Sequence, residues 1–244
     1  MKAHSIETQA SITPSKALTF LKEGNLRFVN NLKVNRNLLQ QANETRDGQW
    51  PFAVILSCID SRTSAELIFD QGLGDIFSIR IAGNVVNTDI MGSLEFACKV
   101  AGSKLIVVLG HTNCGAVKGA CDHVEMGNLT ELLSKIQPAV YEETKTTDPD
   151  KRTSANKKFV ENVSRINVKR SVKTIVNRSY ILEQMVERGE IAIIGAMHNL
   201  ETGMVDFLDD TWVSCEQEIK SQVGVNHVSP VKDEKPAKAA AASQ

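Results

Sequence analysis

The sequence has 244 residues, of which 42% are hydrophobic and 23% are charged, as is ordinary for a folded globular protein. A formal net charge of −1 excludes a general attraction to nucleic acids or anionic membranes. No apolar run approaches the roughly 18 residues that a membrane span needs, and residues 1–13 lack the apolar core of a signal peptide. We therefore expect a cytoplasmic protein.

The cysteine count agrees with that compartment. Five cysteines are an odd number in a chain of this length and do not suggest a set of disulfides. In the reducing cytoplasm, cysteines are more often free, catalytic or bound to a metal.

The first predicted element is an amphipathic helix over Pro14–Asn30. Ala17, Leu18, Leu21 and Phe28 share one face of this helix, and a proline is favourable in the first helical turn.

Four apolar runs rich in β-branched residues predict buried strands, and helical patterns lie between them. In chain order the strands are Phe52–Ser57, Ile76–Ala82, Leu105–Leu109 and Ile191–Ala196. Strands that alternate with helices predict an α/β fold with a parallel four-stranded central sheet. Because the strands are continuously apolar, we expect helices to cover both faces of the sheet.

The C-terminal part differs in character. A turn signal over residues 199–203 precedes Met204–Leu208, which we predict to be a short additional edge strand. From Ser229 the sequence is of low complexity, with prolines, charges and alanines. We predict a single domain over residues 1–228, with an N-terminal helical arm at about 14–46, and a disordered tail over 229–244.

Chemically active side chains follow two of the strands. The first strand runs into Cys58, Asp60 and Arg62, and the third runs into His111 and Cys114. Ligands of open α/β sheets collect outside the carboxyl ends of the strands, so the two segments can meet there. Two sulfurs and one imidazole suit zinc, and three protein ligands leave a fourth position open for water, as in catalytic sites.

Zinc lowers the pKa of bound water from 15.7 to about 7, which makes hydroxide available as a nucleophile. Asp60 could orient that hydroxide or occupy the fourth position, and Arg62 could hold Asp60 through two hydrogen bonds. Two other interpretations stay open. Cys58 could be a reactive thiol with His111 as its base, or a buried cysteine without chemistry.

The two segments resemble the C-x-D-S-R and G-H-x-x-C-G motifs of β-class carbonic anhydrases, and the likeness extends over about residues 14–210. The resemblance implies reversible hydration of carbon dioxide to bicarbonate and a proton. It implies one Zn²⁺ per chain on Cys58, His111 and Cys114, with Asp60 and Arg62 as the catalytic dyad. It also implies a homodimer or homotetramer in which the partner subunit walls part of each active site and receives the N-terminal helix.

Further positions resemble one of the two site types of that family. Gln49 stands where a glutamine helps to bind substrate, and Phe77 and Phe96 match apolar pocket positions. Ile55 and Ser57 replace the tryptophan and glycine of the type that binds bicarbonate at an inhibitory site. The sequence therefore resembles the open-site, non-allosteric type.

Two other functions stay open on the same residues. One is hydrolysis of another small heterocumulene, such as carbon disulfide or carbonyl sulfide. The other is a zinc-stabilised scaffold without turnover, although intact Asp60, Arg62 and Gln49 argue against it.

His198, at the end of the fourth strand, is a candidate proton relay. Lys151–Arg178 carries nine basic residues against one acid, which favours a solvated helix face over an anion or nucleic-acid surface. We expect neither nucleic acid nor membrane as a partner.

Overall fold

The computed structural model of the protein describes residues 3–215. The predicted tail over 229–244 and the predicted domain end at residue 228 lie outside this range. Within it the helices are α1 (Ile6–Ala10), α2 (Pro14–Val29), α3 (Leu38–Glu44), α4 (Ala65–Ile68), α5 (Thr88–Glu95), α6 (Gly115–Cys121), α7 (Gly127–Ser134), α8 (Gln137–Glu142), α9 (Lys157–Arg178) and α10 (Tyr180–Glu187). The strands are β1 (Ala53–Ser57), β2 (Ile76–Arg80), β3 (Leu105–His111), β4 (Ala192–His198) and β5 (Val205–Val213). No helix in the described range is long and apolar enough to cross a bilayer.

The sheet has the order β2-β1-β3-β4-β5, and its first four strands are parallel. The predicted α/β fold with four parallel strands is confirmed. Every residue of β1, β3 and β4 is buried, because helices cover both faces of the sheet.

The additional edge strand is also present, so the sheet has five strands in all. β5 pairs antiparallel with β4 and has nine residues, longer than the predicted Met204–Leu208. A tight turn joins the two strands, in which the Asn199 side chain accepts from the backbone N–H groups of Glu201 and Thr202. So short a link can only join antiparallel neighbours.

The N-terminal helix α2 begins where the sequence predicts. Thr13 caps it by accepting from Lys16 N–H at 3.2 Å, and Pro14 lies in its first turn. Its apolar face, formed by Ala17, Leu18 and Leu21, packs into the core of its own chain. The expected packing on a partner subunit is therefore not needed to bury this face.

The long connection between β3 and β4 is helical, as predicted, but it is interrupted. The apolar residues over 172–186 recur at helical spacing and predict one face, which is formed by Val172, Ile175, Val176, Leu182 and Val186. In the structure they belong to two helices, α9 and α10, separated at Ser179. Ser179 caps α10 through its hydroxyl and also donates to the Glu95 carboxylate at 2.6 Å. A cap at this position explains the break.

Candidate metal centre

Two neighbouring strands bring the cysteines and the histidine together. β1 and β3 pair in parallel with Ser57 beside Leu109, so their carboxyl ends lie side by side. Cys58 follows β1 directly, and Cys114 precedes the first residue of α6. His111 is the last residue of β3 rather than part of the following loop, because the strand continues by pairing with His198 of β4.

The geometry of the three side chains fits a metal ion. Their ligand atoms all lie within 4.8 Å of one another, and all three residues are buried. The Cys58 and Cys114 sulfurs are 3.9 Å apart. Two sulfurs at about 2.3 Å from one zinc ion in tetrahedral geometry would be about 3.8 Å apart. The donor set therefore matches zinc in both chemistry and spacing.

The imidazole of His111 is oriented by its own loop. Its Nδ1 lies 2.9 Å from the Thr112 carbonyl oxygen, which fixes that nitrogen as the hydrogen donor. Its Nε2 is buried and has no hydrogen-bond partner among residues 3–215. A buried nitrogen without a partner is costly in a protein interior, and a metal ion would satisfy it.

The contact between the two sulfurs shifts their pKa values in opposite directions. It lowers the pKa of Cys58 below its usual range despite burial, and together with burial it raises the pKa of Cys114. Cysteine binds metals as the thiolate, so binding of a dication would favour loss of the thiol protons.

Asp60 forms a two-point ion pair with Arg62. Arg62 Nε donates to Asp60 Oδ1 at 3.0 Å and Arg62 Nη2 donates to Oδ2 at 2.7 Å. These bonds hold the pKa of Asp60 well below its usual range, so the carboxylate is ionised at neutral pH. The carboxylate lies near the metal group, yet within the described residues the group contains only Cys58, His111 and Cys114.

Two supporting residues were missed by the sequence analysis. Arg80, at the end of β2, donates to the carbonyl oxygens of Cys58 at 3.1 Å and Asp60 at 2.6 Å. The backbone N–H of Gly83 donates to the Cys58 sulfur at 3.4 Å. The one available signal was position, since Arg80 ends the strand that neighbours the Cys58 strand and Gly83 lies in the loop that follows it.

A cavity of about 270 Å³ opens beside the metal group, with Cys58 and Asp60 in its lining. Its remaining walls are small or apolar, and include Ile59, Ala116 and Leu133. Such a lining suits a small ligand without hydrogen-bond donors.

The three predicted substrate-binding residues do not line that cavity in the same chain. Phe77 and Phe96 lie together, with ring centroids 6.5 Å apart, in a separate groove of about 510 Å³ between β2 and α5. Gln49 is exposed just before β1. The exposed fraction of Phe96 is 55%, which is high for a large apolar residue.

His198 lies beside His111 in the sheet and is buried. Burial is the main cause that lowers the pKa of His198 to about 4, so the ring is neutral at physiological pH. Neither ring nitrogen has a partner within the described part of the chain. Its role as a proton relay stays a prediction.

The basic segment Lys151–Arg178 is largely neutralised by contacts. Its side chains form ion pairs with acids of α8, α9, β5 and the preceding loop. The pairs are Lys151–Asp148, Arg152–Glu143, Lys158–Glu161, Arg165–Glu161, Arg165–Asp206, Lys169–Asp210 and Arg170–Glu142.

The remaining cysteines lie apart from the metal group. Burial raises the pKa of both Cys98 and Cys121 to about 12, which leaves them as unreactive thiols. Cys215 is exposed, and all five cysteines are free.

Together these features define a class of protein. A mostly parallel α/β sheet carries a buried Cys-His-Cys group at its carboxyl edge, beside an ionised carboxylate and a small apolar cavity. That is the arrangement of a zinc enzyme that activates water.

Comparisons with known proteins identify the family. The family model for carbonic anhydrase matches residues 53–205, which is more than half of the chain. The chain is 35% identical over 202 residues to carbonic anhydrase 2 of Mycobacterium tuberculosis, covering 78% of this chain and 90% of that protein. It is 34% identical to the carbonic anhydrase of Mycolicibacterium smegmatis, covering 79% of this chain and 92% of that protein.

Solved structures agree. A β-carbonic anhydrase of Aspergillus fumigatus superposes with a TM-score of 0.62 at 26% identity, over 80% of this chain and 90% of that one. One of two tetrameric β-carbonic anhydrases of Sordaria macrospora gives a TM-score of 0.59 at 27% identity, over 68% and 85%. The chain belongs to the carbonic anhydrase family, in its β class, and it hydrates carbon dioxide with zinc. The reactive-thiol, scaffold and other heterocumulene interpretations are not favoured.

Proposed function

We propose that Cys58, His111 and Cys114 hold one zinc ion per chain, and that Asp60, held by Arg62, orients the nucleophile that attacks carbon dioxide. The observation that carries the proposal is the convergence of three buried ligand atoms within 4.8 Å beside a two-point carboxylate–guanidinium pair. When bound, zinc supplies Lewis acidity that makes hydroxide available near neutral pH.

Asp60 acts in this proposal as an acceptor only. Arg62 keeps the carboxylate ionised, so an oxygen of Asp60 accepts a hydrogen bond from the O–H group of the nucleophile. This bond fixes the direction of the nucleophile's lone pair. Arg62 does not need to touch substrate, since it uses Nε and Nη2 to hold both oxygens of Asp60. Ile59, Ala116 and Leu133 form an apolar wall that admits carbon dioxide, which carries no hydrogen-bond donor.

The central experiment is stopped-flow hydration of carbon dioxide on protein with measured zinc content. We expect activity in proportion to bound zinc, with little turnover of carbon disulfide as a second substrate. Full activity in zinc-free protein would rule out the metal role, and faster turnover of carbon disulfide would favour the heterocumulene hydrolase instead.

We propose further that the site is of the open, non-allosteric type. The pairing of Asp60 with Arg62 supports this, because the two guanidinium bonds stabilise the carboxylate away from the metal and compete with direct binding of zinc. Ile55 and Ser57 support it as well. Activity should rise smoothly with pH, without a cooperative loss below about pH 8, as acidification of water by the metal predicts. A steep cooperative profile, with an Asp60 oxygen on zinc in crystals grown near pH 7, would contradict the assignment.

We also propose a homodimer or homotetramer in which the partner subunit completes each site. The exposed groove with Phe77 and Phe96, and the exposed Gln49, lie outside the zinc-side cavity of their own chain. A second copy could place these residues over the cavity. That a Sordaria relative is described as tetrameric supports assembly.

Complementation between inactive variants tests the shared site. Asp60→Asn disables the zinc side, and Gln49→Ala disables the wall that the partner is proposed to supply. Refolding the two variants together should restore about a quarter of the wild-type activity, because half of the dimers are mixed and each mixed dimer has one intact site. No recovery, or a fully active monomer in sedimentation, would contradict the shared site.

We propose that the protein is cytoplasmic. We propose as its partners small molecules and further copies of the chain, rather than nucleic acid or membrane. Free cysteines throughout, and the ion pairs of the basic segment, support this. Cell fractionation should find the protein in the soluble cytoplasmic fraction.

A further inference from the structure

A short loop after β2 presses against the Cys58 sulfur. The loop comprises Ala82, Gly83 and Asn84, and the Gly83 N–H donates to Cys58 at 3.4 Å. Gly83 and Asn84 have φ angles of 67° and 43°, both in the left-handed region. A Cβ at Gly83 would lie 2.6 Å from Ile136 Cδ1, so the Ile136 side chain would have to move, and the positive φ would strain any residue other than glycine. Two successive left-handed residues need support from their surroundings, because an asparagine pays conformational energy in this region.

That support comes from helix α9. The Asn167 side chain donates through Nδ2 to the Gly83 carbonyl oxygen at 2.8 Å. One turn later, the Ser171 hydroxyl donates to the Asn84 carbonyl oxygen at 3.3 Å. Both side chains lie on the face of α9 that meets the loop, and the two bonds anchor consecutive carbonyl groups.

Packing alone does not explain an asparagine at position 167. It is 3% exposed and lies beside buried Val163 and Val168 on the same helix. Burial of an amide costs about 1–3 kcal/mol unless its hydrogen bonds are made, so an aliphatic residue would serve packing better. The polar side chain is therefore explained by the loop it holds rather than by the helix.

The other sulfur has no need of such an anchor. Cys114 lies immediately before α6, and its backbone is held by the regular hydrogen bonds of that helix, such as the bond from Lys118 N–H to the Cys114 carbonyl oxygen at 3.0 Å. The Gly83 N–H instead belongs to an irregular loop, and its direction depends on what holds that loop.

We propose that Asn167 is a positioning residue for the zinc site, which fixes the Gly83 N–H on the Cys58 sulfur and so sets how strongly that sulfur binds the metal. The proposal rests on Cys58 being a zinc ligand, as proposed above. A hydrogen bond from N–H to a thiolate holds the sulfur in place and stabilises its anionic, metal-binding form, and loss of such partners of metal ligands typically lowers metal affinity by about 10–100-fold.

The test uses Asn167→Ala and Asn167→Leu, of which the second keeps the volume and removes the donor. Ser164→Ala is the matched control, because Ser164 is also buried on α9 but its hydroxyl donates only to the Val160 carbonyl of the same helix. Two quantities are measured: zinc affinity by competition with a chelator, and the thiolate-to-cobalt charge-transfer band of the Co²⁺-substituted protein.

We expect both Asn167 variants to lose about tenfold or more in zinc affinity. Their charge-transfer band should move to longer wavelength, because a thiolate without its N–H donor gives up an electron more readily. Ser164→Ala should leave both quantities unchanged. If Asn167→Leu kept normal affinity and an unshifted band, the role would be packing and the proposal would be wrong. If the leucine variant does not fold, Asn167→Ala against Ser164→Ala decides by the same two measurements.

The outcome is separable from that of the proposed function. A wild-type protein that binds no zinc would overturn the ligand assignment itself. A wild-type protein that binds zinc, with Asn167 variants that match Ser164→Ala, would overturn the positioning role alone.

Discussion

The two segments that carry the proposed metal ligands are held in place by different means. The β3 segment, His111–Cys114, lies between a strand and a helix. The Thr112 N–H donates to the His198 carbonyl oxygen at 3.0 Å. The Thr112 carbonyl oxygen accepts a hydrogen bond from His111 Nδ1. Pairing with β4 and the start of α6 therefore position its two proposed ligands, and the Leu200 N–H adds a bond to the Thr112 hydroxyl at 3.0 Å.

The β1 segment, Cys58–Arg62, depends on distant side chains. Arg80, 22 residues from Cys58 along the chain, holds two of its carbonyl groups, and Asn167 holds the loop that contacts its sulfur. This segment also carries Asp60, so the residue proposed to orient the nucleophile lies in the less regular half of the site. The difference suggests that changes far from the metal will reach the site through the β1 segment.

The largest effect should come from removing a proposed zinc ligand. The loss of zinc affinity should be the same for a ligand of the β1 segment as for one of the β3 segment. Zinc in four-ligand sites is bound with about 10–16 kcal/mol, so one lost ligand costs about 3 kcal/mol, or roughly a hundredfold or more in affinity. Cys58→Ala and Cys114→Ala should both lose stoichiometric zinc by elemental analysis. Cys98→Ala, which removes a buried thiol away from the site, should keep it. Stoichiometric zinc in Cys114→Ala would show that the ligand set is wrong.

The next effect separates chemistry from metal binding within the β1 segment. Asp60→Asn and Arg62→Ala should lower kcat by about a hundredfold, the size of loss seen when a preorganised hydrogen bond to the reacting group is removed. Zinc content should stay at one per chain, since neither residue belongs to the proposed ligand group. Arg188→Ala is the control. It breaks an exposed ion pair with Glu190 just before the amino end of β4, whereas the site lies at the carboxyl ends of the strands. Near-normal turnover in either dyad variant would refute the proposed roles.

A smaller effect tests the dependence of the β1 segment on remote support. Arg80→Ala removes hydrogen bonds to two carbonyl groups and should weaken zinc binding by about fivefold, or about 1 kcal/mol. Arg80→Lys should recover only part of the loss, because one ammonium group cannot reproduce the two directed bonds of a guanidinium. Chelator competition measures both variants. Unchanged zinc affinity in Arg80→Ala would mean that the conformation of the β1 segment does not depend on Arg80.

The smallest effect is expected in the β3 segment, where pairing with β4 and the start of α6 hold the backbone. Asn113 has a φ angle of 57°, so Asn113→Gly should change the free energy of unfolding by less than about 0.5 kcal/mol, whereas Asn113→Ala should cost about 1 kcal/mol. Zinc affinity should be unaltered in the glycine variant. Urea unfolding and chelator competition measure the two quantities. A large loss of zinc affinity in Asn113→Gly would show that the β3 segment is as sensitive to substitution as the β1 segment, against the comparison drawn above.

Much of this site follows from short stretches of sequence. Cys58, Asp60 and Arg62 lie within five residues, as do His111 and Cys114 within four, and each group directly follows or ends an apolar strand. Asp60 and Arg62 can find each other locally, and they do. Residues 172–186 show the limit of such patterns, because their continuous apolar face conceals the break at Ser179.

The sequence by itself determined the strands, the parallel α/β class and the place of the candidate ligands at two strand ends, because burial of apolar runs and local spacing need no knowledge of distant contacts. Only the tertiary structure decided the rest. It showed that Arg80 and Asn167 support the Cys58 side, and that Phe77 and Phe96 lie outside the cavity of their own chain. These facts depend on contacts between residues as far as 84 positions apart, as for Asn167 and Gly83, and no local pattern encodes such a pairing.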